Sequence, residues 1–165
     1  MSYNSKLKTP TQLSNFMSGF TYKTFDTLMS PEEVYLAKSG SCHDQVMFEI
    51  AELKNIGIRP VAFFLMAVDK DNVGGETHSF VYWITGNRAY WFENAWEDHR
   101  GITIFNNEME LLESVWKAFS ERVPHHYVYF ADFLPEEHTV GEDLDTLVNI
   151  CMKHAVPVFT FHLET

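Results

Sequence analysis

Between Thr77 and Trp96 the chain reads THSFVYWITGNRAYWFENAW, two aromatic-rich runs on either side of Gly86-Asn87. Aromatic and β-branched residues suit a pleated, half-buried surface, and a Gly-Asn pair between two such runs signals a tight turn. The stretch therefore predicts a β-hairpin. A hairpin alone is marginal in water, so the rest of the chain has to supply strands beside it and helices to cover it.

Candidates for both are present. IRPVAFFLMAV (58–68), HYVYFADF (126–133) and VPVFTFHL (156–163) read as strands. A short helix is expected from Pro10 to about Met17, ended near Gly19. In SPEEVYLAKSG, Ser30 can cap, Pro31 takes the first helical position, Glu33 completes a capping box and Gly40 lies past the end. The next helix begins at Ser41 or Cys42 and runs to about Asn55, with Val46, Ile50 and Leu53 at helical spacing. Met109, Leu112, Val115, Trp116 and Phe119 place another over Asn107 to Phe119, and GEDLDTLVNICMKHA (141–155) a last one. Helices and strands arranged in this way imply an α+β fold with the first strong helix laid across an antiparallel sheet. No linker or internal repeat divides the 165 residues, so a single domain, 1–165, is expected.

Charge excludes some functions. Against 12 Lys+Arg stand 23 Asp+Glu, a net charge of −11, and no basic cluster interrupts it. Such a surface repels phosphate backbones and anionic bilayers, so neither nucleic acid nor membrane is expected as a partner. The longest apolar run, Val61 to Val68, is too short to cross a bilayer, and MSYNSKLKTPTQLSNF lacks the apolar core of a secretory signal. Two cysteines, Cys42 and Cys151, do not make a disulfide framework, so a cytoplasmic location with free thiols is expected.

The two thiols differ in setting. Cys151 lies between Ile150 and Met152 inside a helix, where core packing explains it. Cys42 follows Gly40-Ser41 at a helix entrance, where unpaired N–H groups and the positive end of the helix dipole favour a thiolate and can face an oxyanion. A nucleophile there needs a base. Of eight histidines, His43 points away from its neighbour on the helix, while His78 opens the aromatic hairpin and is held by a strand. If Gly86-Asn87 is a two-residue turn, Ala95 lies opposite His78 and Glu93 is its diagonal neighbour on the same face. A three-residue turn reverses the parity and brings Asn94 opposite instead. We favour Glu93, because a carboxylate among aromatics needs a partner.

The pieces SGSCHDQVMFEIAELKNIGIRPV, GGETHSFVYW and YWFENAWEDHRGI together resemble the transglutaminase-like superfamily, within the broader papain-like cysteine-enzyme fold. The resemblance covers Gly40 to Ile102, somewhat over a third of the chain. It implies a nucleophile-bearing helix packed on an antiparallel sheet, with catalytic Cys42, His78 and Glu93, or Asn94 as the alternative third member. The family commonly carries Asp at that third place. The implied function is a cysteine-dependent acyl hydrolase, a peptidase or deamidase acting through a thioester on a peptide or protein substrate. Transglutaminase-type acyl transfer and a catalytically silent protein-binding domain are the alternatives.

No cofactor is expected. DKDNVGGETHSF fails as an EF-hand loop, because Val73 and Phe80 fall where ligands are required, and Asp69 to Glu76 is read instead as a flexible active-site loop. Metal is not expected either: the adjacent pair His125-His126 on a strand points to opposite faces, and no HExxH, P-loop or dinucleotide fingerprint occurs. Asp44 is read as a helix-stabilising residue; Trp83, Trp91 and Trp96 could line an acyl-group cleft, and at least two of them are read as core or sheet packing.

Overall fold

Antiparallel pairing organises the computed structural model, which describes residues 6–68, 75–123, 127–133, 140–154 and 156–159. In chain order the elements are α1 (Pro10–Met17), β1 (Thr21–Tyr22), α2 (Pro31–Ala37), β2 (Ser39–Gly40), α3 (Cys42–Asn55), β3 (Val61–Val68), β4 (Gly75–Thr85), β5 (Arg88–Glu93), β6 (Gly101–Phe105), α4 (Glu108–Arg122), β7 (Tyr127–Phe133), α5 (Leu144–His154) and β8 (Val156–Phe159). A short 3₁₀ turn, Glu97–His99, joins β5 to β6.

The helices start where capping chemistry lets them. Thr9 accepts from the Gln12 N–H ahead of Pro10, and Ser30 forms a complete capping box with Glu33. Ser41 does the same with Asp44. Each box satisfies orphan donors that the helix itself cannot reach. Lys38 closes α2 in the left-handed region, φ 48°, and turns the chain at once into β2.

Six strands form a sheet in the order β6-β5-β4-β3-β7-β8, and every neighbouring pair is antiparallel. The hairpin turn is the two-residue one: Thr85 pairs with Arg88, and Gly86 takes φ +61°, a conformation that costs glycine little. A separate two-stranded ladder joins β1 and β2 in parallel. Two features went unforeseen in the sequence. β6 is a five-residue edge strand whose ladder comes from β5, and β1 and β2 have only two residues each. Segments that short carry no readable periodicity. Helix α4 also starts at Glu108 with Asn107 as its cap, and runs on to Arg122.

Both faces of the central strands are covered. Ala62, Phe64, Val81, Trp83 and Phe92 pack against Val46, Phe48, Ile50 and Leu53 of α3, with help from α1, α2 and α5. The intervening residues Leu65, Ala67, Phe80, Tyr82, Ala89 and Trp91 pack against Leu111, Val115, Trp116 and Phe119 of α4. Burial on both faces explains why β3 to β5 read as nearly continuous apolar runs rather than as alternation. Each fully buried Leu or Phe side chain contributes roughly 1.5–3 kcal/mol.

Candidate active site

Cys42 is the first residue of α3 and is 9% exposed. Its approach is held from several sides. Asp44 Oδ2 accepts from the Ser41 N–H at 2.9 Å and from its hydroxyl at 2.7 Å, while Oδ1 accepts from the Met29 N–H at 2.9 Å. Asp44 thus caps the helix, as its position suggests, and also pins the loop before α2. Gly40 is sterically required there, since a Cβ would lie 2.8 Å from Asp44 Cβ. Its carbonyl accepts from the Gln45 side-chain amide at 2.9 Å and from the Lys23 N–H at 3.1 Å.

His78, on β4, is 2% exposed. Its Nε2 lies 2.8 Å from Glu93 Oε2. The other Glu93 oxygen accepts from the backbone N–H groups of Ala95 (2.8 Å) and Trp96 (2.9 Å), which fixes the carboxylate as the chain leaves β5. Burial pulls the His78 pKa down, but the Glu93 charge, with the Glu93 hydrogen bond and the nearby Cys42 side chain behind it, outweighs burial and raises the value to about 9.

The Trp96 ring stacks on the imidazole, centroids 3.8 Å apart and planes 13° from parallel, and itself stacks on Phe119 of α4. An indole face against a charged imidazole is a favourable cation–π arrangement. Trp96 therefore does more than pack the sheet. Trp83 and Trp91 are core residues, 4% and 3% exposed.

Asn94 turns the other way from Glu93. Its amide donates to Gln45 Oε1 at 2.6 Å, so that Gly40, Gln45 and Asn94 form a buried chain of hydrogen bonds from the loop before Cys42 to the hairpin. Its Oδ1 has no hydrogen-bond partner among the described residues. Glu49, two turns along α3 from Cys42, is 1% exposed; burial first, then the charges of Glu93 and Cys42, lift its pKa well above the usual carboxylate range.

Tyr22, on β1, lies near enough to be influenced by Cys42: burial foremost, with the charge of Cys42 behind it, pushes its pKa up to about 12.

No family model matches the sequence, and no curated protein matches it. Among solved structures, the chain is similar to Legionella pneumophila LapG (EGTA-treated), at 14% identity and a TM-score of 0.43, over 87% of this chain and 76% of that one. That is a distant likeness of mixed helix-and-sheet outline. What the site can do is carried by its own atoms.

Tyr22, Gln45 and Glu49 escaped the sequence reading, and Trp96, which that reading allows in a cleft wall, instead backs the His78 imidazole; Tyr22 had no local signal at all. Cys151, on α5, is buried in the core to which α3 contributes. Among the described residues no group of three His, Cys, Asp or Glu side chains is arranged to hold a metal, and no helix is long and apolar enough to cross a membrane. His125, His126 and most of the 69–76 loop lie outside the described residues.

Proposed function

We propose that this protein is a cysteine-dependent acyl hydrolase of transglutaminase-like, papain-like type, with Cys42 as nucleophile, His78 as base and Glu93 as its orienting partner. The observation that carries the reading is a buried imidazole held by a carboxylate at 2.8 Å and near enough to a helix-entrance thiol to be influenced by it. In a neutral environment a buried histidine would shed its proton; here Glu93 keeps the charged form favourable. With Nε2 committed to Glu93, Nδ1 is the nitrogen available to the sulfur.

The reaction follows in two halves. The Cys42 proton resides on His78, and the thiolate adds to an amide carbonyl carbon of a peptide bond or of a side chain, giving a tetrahedral oxyanion faced by the N–H at the helix start. Collapse breaks the C–N bond; the leaving nitrogen takes the proton from His78 and a thioester remains. His78 then takes a proton from water, hydroxide adds to the thioester, and the released sulfur recovers the ion pair. An amine in place of water would give acyl transfer by the same steps. A reducing cytoplasm is the compartment in which such a thiol persists, and a peptide or protein is the substrate class.

The test is iodoacetamide labelling followed by mass spectrometry across pH 5.5–9.5. We expect Cys42 in the wild type to react at pH 6 at least tenfold faster than Cys42 in the His78→Ala variant. Identical rates in the two proteins would reduce the scaffold to a silent binding domain.

A further inference from the structure

A hydrogen bond at one nitrogen fixes a point on an imidazole and leaves the ring able to swivel about that bond. The contact of His78 Nε2 with Glu93 Oε2 at 2.8 Å is such a bond, and a swivel would carry Nδ1 away from the sulfur it is to serve. One residue opposes it. The second Glu93 oxygen accepts from the Trp96 N–H at 2.9 Å, and the turn closed by that bond lays the indole across the imidazole, with centroids 3.8 Å apart and planes 13° from parallel. Helix α4 braces the indole in turn: Phe119 stacks on it at 6.1 Å and 12°, and the Arg122 guanidinium lies over it at 5.6 Å. Only 7% of Trp96 is exposed, so a close-packed shell holds this plate in place.

We propose that Trp96 is a positioning residue for the proposed base: its N–H holds the Glu93 carboxylate, and its indole face holds the His78 ring in plane and in its charged form. This deepens the acyl-hydrolase reading and rests on it. Trp96 acts through His78, and a base kept in one orientation is what proton transfer to and from a nucleophile requires. The face of an indole carries negative quadrupole density, so the stack favours the imidazolium over the neutral ring. The other groups that bear on that charge are Glu93 of β5 and Cys42 of α3. Arg122 of α4, at the indole, is exposed and therefore screened, and the His99 ring of the 3₁₀ turn lies 5.8 Å from the indole.

The experiment follows the His78 imidazole by NMR between pH 5 and 10 in wild type, Trp96→Phe, Trp96→Leu and a protein carrying a ring-fluorinated tryptophan at position 96 alone. The fluorinated ring keeps the indole shape and withdraws charge from its face, so its result does not hang on a folding defect. Trp96→Leu should lower the His78 midpoint by about one pH unit, the scale of a desolvated cation–π contact, and Trp96→Phe by less. The fluorinated protein should fall between wild type and Trp96→Leu, and Cys42 alkylation at pH 6 should slow severalfold in Trp96→Leu. If Trp96 were only filler, Phe and Leu would move the midpoint equally and fluorination would leave it unchanged; that pattern overturns the assignment. Failure of the underlying reading looks different: the midpoints move as expected while His78→Ala leaves Cys42 alkylation at its wild-type rate. That result would sink the acyl-hydrolase reading and, with it, the positioning role.

Discussion

His78 sits under opposing influences, and Glu93 is the strongest of those that hold its charge. Burial to 2% exposure works against the imidazolium; Glu93 at 2.8 Å works for it and prevails. The substitution Glu93→Gln isolates the charge, because an amide oxygen can still accept from the Ala95 and Trp96 N–H groups. With the charge gone, burial meets weaker opposition, and His78 should then titrate well below 9. An NMR titration of the imidazole between pH 5 and 10 reads this directly, and a midpoint still near 9 in the variant would show that Glu93 is not what holds the proton. The pairing of these two residues was legible beforehand. Strand parity is a local property, so a two-residue turn at Gly86-Asn87 was enough to make Glu93 the diagonal neighbour of His78.

At the scale of elements, α3 and the β4–β5 hairpin have to be held at a fixed separation, and hydrophobic packing alone is a blunt way to do it. The hydrogen bonds from Asn94 to Gln45 and from Gln45 to Gly40 span the gap with directional contacts at 2.6 and 2.9 Å. Asn94→Ala removes the donor and leaves the Gln45 Oε1 buried without it. That should cost about 1–3 kcal/mol of stability, measured by urea unfolding. A loss below a few tenths of a kcal/mol would mean that water replaces the amide freely and that the strut does not position anything. This strut was invisible in the sequence: Gln45 and Asn94 are separated by 49 positions, and glutamine on a helix is unremarkable by propensity.

Over the whole molecule, the proposed site lies where two cores meet. Cys42 is carried by α3, which packs with Phe64, Val81 and Phe92 on one face of the sheet; the Trp96 that backs His78 belongs to the other core, with Phe119 of α4. Phe119→Ala should destabilise the protein by about 3–5 kcal/mol. Because both cores share β3, β4 and β5, unfolding followed by near-UV and far-UV circular dichroism should remain one coincident transition. Separate transitions would show that the α4 side folds as an independent unit.

What the amino-acid order determined alone was local: capping boxes at Ser30 and Ser41, a helix beginning at Cys42, a hairpin with its register, and strands apolar enough to be buried on both faces. Each of these follows from interactions within a few residues or from the period of one element. The nearness of Cys42 to His78, the indole stacked behind that imidazole and the pairing of β1 with β2 were decided only by tertiary structure. They depend on how separate elements close on one another, and a two-residue strand that gains its pairing from a distant partner leaves no periodic mark along the chain.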